Sequence, residues 1–132
     1  MGNRAIITTA PYDENNVGIY CHWNGGQESI EGFVRAAKDL GYRDPSSDPE
    51  YGLARLTQAI GVFFGGEISL GIGICKNLDD SDQGTWLLGP GWEISHLKRK
   101  VVKLSPEQEE KAEEIRKAIV TKTARLEEKV DG

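Results

Sequence analysis

Apolar and polar residues alternate along two stretches of the chain, and each stretch predicts a half-buried β-strand. In the first, Val17, Ile19, Cys21 and Trp23 alternate with Gly18, Tyr20, His22 and Asn24. In the second, Ile68, Leu70, Ile72 and Ile74 alternate with small or polar residues. Successive side chains of a strand point to opposite faces, so each stretch would bury one face. Shorter apolar segments predict further strands at Ala5–Thr9, Gly84–Leu88 and Trp92–Val101.

Two internal stretches repeat apolar residues at helical spacing instead. The first helix is expected to have Ser29 as its N-cap and Gly41 just after its end. The second is expected to begin after the capping residue Asp48, with Pro49 in its first turn and Gly65 at its end.

A third, long helix is predicted after the capping residue Ser105, from Pro106 to about Glu128. Its apolar residues form a thin stripe near heptad spacing: Ala112, Ile115, Ile119, Leu126 and Val130. A stripe this thin is poorly buried in one small domain, and a second copy would cover it. We therefore expect a homodimer through this helix. The alternative is a terminal helix that lies across its own sheet.

Together these elements predict an α+β protein with a mainly antiparallel β-sheet core, two internal helices and a long C-terminal helix. Only the loop after Pro11 separates the first two strands, so we expect them to pair antiparallel. We expect an α+β binding core at residues 1–103 and a dimerisation helix at residues 104–132.

The composition narrows the classes of partner. The 132 residues carry a net charge of -5, with 28% charged residues, which does not suit a protein that wraps DNA. No apolar run has the length of a membrane span and no secretion signal opens the chain, so we expect no membrane partner and a cytoplasmic location. Cys21 and Cys75 lie in apolar runs and have no zinc-type spacing to His22 or His96, so we expect reduced core thiols and no metal.

Two patterns point to anion binding. Asn24, Gly25 and Gly26 join a strand to a helix, a junction whose free backbone N–H groups can hold an anion. Arg55 lies four residues after Tyr51 and three before Gln58, so the three share one helical face that could bind a phosphate or a carboxylate. An ordinary turn and an ordinary exposed helix surface have the same patterns.

Catalytic motifs are not recognisable in the sequence, which contains no nucleophile elbow, phosphate-binding loop or dinucleotide fingerprint. His22 could act as a base beside Tyr20, although a strand histidine is more often simply hydrogen-bonded. We therefore expect a binding protein with no cofactor rather than an enzyme. The residues suited to binding are Trp23, Trp86 and Trp92 for stacking, Thr85 for hydrogen bonds, and Arg55, Arg99 and Arg116 for phosphates.

Several short motifs occur together in the first 95 residues. They are Met1–Thr8, His22–Gly26, Tyr51–Leu56 and Phe63–Gly66, followed by an Asp-rich loop into Gly84-Thr85-Trp86. In this combination the chain resembles the first type of Thoeris anti-defence protein, a family of phage-encoded sponges.

The resemblance implies a non-enzymatic protein of the bacterial host cytoplasm that sequesters a nucleotide second messenger. It implies binding of glycocyclic ADP-ribose, an isomer of cyclic ADP-ribose made by a TIR-domain protein, in two pockets at a dimer interface. It also implies that some members form hexamers with separate sites for the cyclic oligonucleotides of CBASS. Arg55, in the matching Ala-Arg-Leu motif, is the first choice for a phosphate contact.

The chain departs from the family pattern at two places. Ser81-Asp82-Gln83-Gly84 stands where the family tends to have Asp-Asn-Gly, and Gln27 stands where an arginine is expected, which weakens the case for a cyclic-oligonucleotide site. Arg99 and Arg116 are expected as partner-chain contacts only by analogy. The competing hypotheses are an acidic protein-binding inhibitor such as an anti-CRISPR and, third, a phosphodiesterase that uses His22.

Overall fold

A computed structural model describes residues 3–66 and 69–131 of the chain, with side chains as far as Leu126. In chain order the elements are β1 (Ala5–Thr9), β2 (Val17–Cys21), α1 (Gln27–Asp39), α2 (Pro49–Phe64), β3 (Leu70–Ile74), β4 (Gly84–Leu88), β5 (Ile94–His96) and α3 (Pro106–Asp131). Short 3-10 turns follow β3 at Cys75–Asn77 and precede β5 at Pro90–Trp92. The predicted α+β class, with two internal helices and a long C-terminal helix, is confirmed.

The strands form one sheet in the order β3-β2-β1-β4-β5. β1 and β2 pair antiparallel as predicted, and so do β2 with β3 and β4 with β5. β1 and β4 are parallel, with Ala5 opposite Gly84 and Thr9 opposite Leu88. The sheet is therefore mixed but mainly antiparallel, and β3 and β5 are its edges.

The core lies between one face of the sheet and the three helices. Ile7 and Ile19 are opposite each other in the sheet register, and both are buried against residues of α1 and α2 such as Phe33 and Ile60. Burial of these aliphatic and aromatic side chains is the main stabilising contribution to the fold. Of the alternating residues that were predicted to form this face, Ile19 and Cys21 are buried, whereas Val17 and Trp23 are exposed.

Helix α1 begins earlier than its apolar pattern suggested. Gly26 is the N-cap, and its carbonyl oxygen accepts the N–H groups of Ser29 and Ile30. The prediction of Ser29 as the N-cap is wrong, because Ser29 lies inside the helix and is buried. The predicted stop is confirmed: α1 ends at Asp39 with Leu40 as its C-cap, and Gly41 has the left-handed φ of 74° that glycine adopts at little cost.

The ends of α2 follow local chemistry. The carboxylate of Asp48 accepts the N–H of Tyr51 at 3.1 Å, and Pro49 occupies the first turn, where its missing N–H costs nothing. Gly65 ends the helix at a φ of 65°. All three predictions for this helix are confirmed.

Helix α3 also begins as predicted. Ser105 Oγ accepts the N–H of Gln108, and Gln108 Oε1 accepts the N–H of Ser105, so each side chain caps the other residue. Within the described residues, none of the helices is long and apolar enough to cross a membrane.

The apolar stripe of α3 is covered inside the chain. Ala112, Ile115 and Ile119 are buried, because α3 packs against α1 and α2. At the crossing with α1, a Cβ on Gly32 would lie 2.8 Å from the carbonyl oxygen of Ala112, so the helices approach very closely. The prediction that the apolar stripe is poorly buried within one chain is therefore wrong for these three residues. Helix α3 lies on the other two helices rather than across the sheet. Leu126 is half exposed, and the Val130 side chain is outside the described residues.

Two predicted strands are shorter in the structure. β5 comprises only Ile94–His96, because Trp92 lies in the preceding 3-10 turn with a φ of 63°. β3 begins at Leu70, because the described residue Ser69 is not part of the strand; Ile68 lies outside the described residues.

Candidate functional site

The predicted glycine junction is a packing element. The carbonyl oxygen of Gly25 accepts the indole N–H of Trp86 at 2.8 Å. A Cβ on Gly25 would lie 2.1 Å from the carbonyl oxygen of Asn3, so only glycine fits there. Asn24 has a φ of 60°, and its amide lies 3.3 Å from Ser29 Oγ. Asn24 and Gly25 thus join β2 to α1, and the carbonyl group of Gly25 holds the Trp86 indole in place.

The N-terminus of α1 already has a carboxylate beside it. Glu28 folds back so that its Oε1 would lie 3.1 Å from a Cβ on Gly26. The Gln27 side chain binds both backbone groups of Val102, and Gln108 reaches the Glu28 carboxylate at 3.5 Å. The sequence suggested an open anion site at this helix N-terminus. In the structure the Glu28 carboxylate and the segment before α3 lie there instead, so the terminus is not open.

Thr85 and Trp86 are interior residues. Thr85 is buried and donates to Asp80 at 2.8 Å. Trp86 is 1% exposed and meets His96 edge to face at 4.6 Å, so the prediction that its ring is an open stacking surface is wrong. Trp92 is also buried, whereas Trp23 is 40% exposed.

Arg99 lies at the sheet end near β4. Its guanidinium donates to the carbonyl oxygen of Gln83, with Cζ 5.5 Å from the Trp86 ring. Beside it, His96 Nδ1 accepts the backbone N–H groups of Lys98 and Arg99, so Nε2 carries the proton and donates to the Gln83 carbonyl. Burial lowers the pKa of His96, which favours the neutral imidazole whose Nδ1 can accept these bonds.

The guanidinium of Arg116 is neutralised within the chain. Arg116 pairs with Asp39 at 2.7 Å and with Glu113 at 3.0 Å. The hydrogen bond with Glu113 raises the pKa of Arg116 most, and the hydrogen bond with Asp39 raises it further. Arg35 similarly pairs with Glu109 and Glu113. Arg116 was expected at a ligand, but in the described fold it links α1 to α3.

The outer surface of α2 has a different character. Tyr51, Arg55 and Gln58 lie together as their spacing predicted: Arg55 donates to Gln58 Oε1 at 3.0 Å. The Arg55 Cζ lies 5.1 Å from the Tyr51 ring centroid and 6.0 Å from that of Tyr42. The Arg43 Cζ lies 4.2 Å from the centroid of the same Tyr51 ring. The guanidinium groups therefore lie on aromatic faces.

Gln58 connects this cluster to a groove of about 520 Å³ between α2 and α3. Its lining consists of Gln58, Gly61, Val62, Gly65, Gly66, Lys122, Arg125 and Leu126. The Lys122 ammonium lies 3.5 Å from the Phe63 carbonyl oxygen, at the negative end of α2. The groove thus combines an apolar floor with two cations from α3.

We call this surface the α2 basic face and define it by Arg43, Tyr51, Arg55, Gln58, Lys122 and Arg125. In the part of the chain with described side chains, Arg55 and Arg125 form no ion pair with a carboxylate. Arg43 has one exposed pair, with Asp48 at 3.6 Å. Positive charge and aromatic rings are the groups that hold phosphates and bases.

Sequence reasoning found Arg55 and its neighbours but missed Lys122 and Arg125. Those two residues come from α3, some 60 positions further along, and only tertiary packing places them beside α2. The one available signal was that Lys122 interrupts the apolar stripe of α3.

His22 has an ordinary partner for a strand histidine. Its Nδ1 lies 2.9 Å from the Tyr20 hydroxyl, and its ring meets Trp23 edge to face. Across residues 3–66 and 69–126, no three His, Cys, Asp or Glu side chains form a group that could hold a metal ion. Cys21 is buried, and burial raises the pKa of its thiol to about 12.

No protein-family model, curated protein or solved structure matches this chain.

Proposed function

We propose that this protein sequesters a cyclic nucleotide second messenger of the ADP-ribose type, glycocyclic ADP-ribose first among them, without cleaving it. The motifs in the first 95 residues suggest this function, and the α2 basic face offers a place for the ligand. As a phage product, such a protein would act by lowering the concentration of the messenger in the host cytoplasm.

The observation that carries the proposal is the position of Arg55. Its guanidinium lies on the Tyr51 ring, binds Gln58 and has no carboxylate partner among the described side chains, so its charge is available. An ADP-ribose isomer has two phosphates and an adenine. Arg55 and the groove cations would bind the phosphates, and Tyr51 or the apolar floor would stack on the base. A groove of about 520 Å³ is of the size that takes such a ligand.

Sequestration requires tight binding of an intact ligand. We therefore test it by isothermal titration calorimetry with glycocyclic ADP-ribose, followed by heat denaturation and chromatography of the released ligand. A saturable heat signal and unchanged ligand are expected. Altered ligand would replace the proposal with an enzyme, and no binding of this nucleotide or of cyclic oligonucleotides would refute it.

A pair of lysines on α3 tests the location. Lys122→Ala removes a groove cation, whereas Lys111→Ala removes an exposed lysine at the other end of the helix, 3.9 Å from Glu28. We expect weaker binding only for Lys122→Ala. Equal affinities of the two variants would place the ligand elsewhere.

A further inference from the structure

The outer edge of β3 has unpaired backbone groups. The backbone N–H of His22 donates to the carbonyl oxygen of Ser69, and the backbone N–H of Cys75 donates to that of Asn16, both at 2.9 Å. The backbone groups of the odd-numbered residues in this segment therefore point toward β2. Residues of an antiparallel strand alternate in direction. The N–H and C=O groups of Leu70, Ile72 and Ile74 therefore point away from β2, to the side where the described sheet has no further strand.

Aliphatic side chains are exposed along the same edge. Ile72 is 60% exposed, Ile74 41% and Val17 44%. The register places Val17 opposite Ile74, and Ile72 opposite the core residue Ile19, so all of them are on the helix-facing side. A groove of about 390 Å³, lined by Val17, Leu53 and Ile72 among others, separates this edge from α2.

Protection against strand addition is missing from β3. Its sequence is Leu-Gly-Ile-Gly-Ile, without a charged residue or a proline, in a chain with 28% charged residues. Natural edge strands are commonly blocked by lysine, proline or a bulge. For two copies that each carry a net charge of -5, an uncharged edge is also where they can meet with least repulsion.

We propose that a second copy of the chain pairs with this edge, β3 to β3 and antiparallel, about a two-fold axis at Ile72. Leu70 then lies opposite Ile74 of the partner subunit, and Ile72 opposite Ile72 of the partner subunit. Every residue so paired is one whose backbone groups point outward, and every aliphatic side chain meets another on the same face.

The symmetry of the strand is what selects a second copy as the occupant. A two-fold axis at Ile72 exchanges Gly71 with Gly73 and one aliphatic residue with another, so the strand is complementary to itself. Ala112, Ile115 and Ile119 of the α3 stripe that suggested a dimer are buried inside the chain, whereas the aliphatic residues Ile72 and Ile74 of β3 are exposed. A strand pair with a few aliphatic contacts is a small interface, so we expect reversible association.

Two charge substitutions test the edge. Ile72→Lys places an ammonium at the axis, and Ser95→Lys adds the same charge to the opposite edge, on β5, where Ser95 is exposed. By sedimentation velocity at roughly 1 to 300 µM, we expect wild type and Ser95→Lys to dimerise and Ile72→Lys to stay monomeric with an unchanged melting temperature. A monomeric wild type, or a dimer that survives Ile72→Lys, would overturn the proposal.

Cysteine cross-linking tests the register. Hydrogen-bonded antiparallel pairs have Cα atoms about 5.5 Å apart, within disulfide reach. Ile72→Cys should therefore form a disulfide dimer with itself on oxidation, whereas Gly71→Cys, whose opposite residue is Gly73 of the partner subunit, should not. Leu70→Cys and Ile74→Cys should cross-link mainly to each other when mixed. Equal cross-linking of Gly71→Cys and Ile72→Cys would contradict the two-fold axis at Ile72.

Discussion

The arginines of the α1–α3 interface and those of the α2 basic face have opposite surroundings. At the interface, Arg35 pairs with Glu109 and Glu113, and Arg116 pairs with Glu113 and Asp39. On the α2 basic face, Arg55 has an amide and aromatic rings as neighbours. Both regions contain arginines, yet carboxylates neutralise those of the interface, whereas Arg55 has no carboxylate partner among the described side chains.

This difference separates structural from ligand-binding arginines. A guanidinium that already holds two carboxylates would have to lose them before it could bind a phosphate, whereas one stacked on tyrosine has donors to spare. We therefore expect substitutions in the α1–α3 interface to change the free energy of unfolding, and substitutions on the α2 basic face to change ligand affinity.

The largest effect on stability is expected for Gly32→Ala. Its Cβ would lie 2.8 Å from the Ala112 carbonyl oxygen and from Ile115, so α1 and α3 must separate. We expect a loss of roughly 1–3 kcal/mol in the free energy of unfolding, measured by thermal or denaturant melting.

Gly61→Ala is the control on α2, because its Cβ would meet only the Leu70 side chain, at 3.8 Å. Alanine has the higher helix propensity, so we expect a neutral change or a gain of up to about 1 kcal/mol. Equal destabilisation by the two alanines would show that the close crossing of α1 and α3 is not what requires glycine.

Arg35→Ala is expected to have a smaller effect, on the order of 1 kcal/mol, because it breaks several partly exposed ion pairs at once. Arg55→Ala should change the free energy of unfolding by less than about 0.5 kcal/mol, as for an ordinary surface substitution. Both changes would be measured by denaturant melts at neutral pH and low salt. The comparison fails if Arg55→Ala destabilises the protein as much as Arg35→Ala does.

The smallest effect is a pH dependence. The bond with Arg35 lowers the pKa of Glu109, and bonds with Arg116 and then Arg35 lower that of Glu113, from an ordinary value of 4.5. A lowered pKa in the folded state stabilises the fold above the unfolded-state pKa, and this contribution is lost as the pH falls through the folded-state value. The difference in melting temperature between wild type and Arg35→Ala should therefore be constant near neutral pH and shrink below about 4.5. A difference that persists in acid would assign the effect of Arg35 to packing.

The features that could be predicted from sequence are local ones. The cap at Asp48, the reciprocal cap of Ser105 and Gln108, and the left-handed glycines at helix ends each depend on a few neighbouring residues. The alternation in β2 likewise predicted the burial of Ile19 and Cys21. The parallel pairing of β1 with β4 could not be predicted in this way, because it joins residues about 80 positions apart.

The residues of the candidate site also divide into those placed by local spacing and those placed by long-range packing. The face of Tyr51, Arg55 and Gln58 follows from helical spacing alone. Composition could not tell that Trp86 is buried or that Arg116 is paired with Asp39, because both depend on long-range packing. Binding residues chosen by type alone therefore included several that support the fold.

One titration tests the central claim, that the arginine without a carboxylate partner binds the nucleotide and the paired one does not. Wild type, Arg55→Ala and Arg116→Ala would each be titrated with glycocyclic ADP-ribose at a temperature where all three are folded. We expect Arg116→Ala to bind like wild type and Arg55→Ala to bind at least roughly tenfold more weakly. Unchanged affinity in Arg55→Ala, with a loss in Arg116→Ala, would contradict the account.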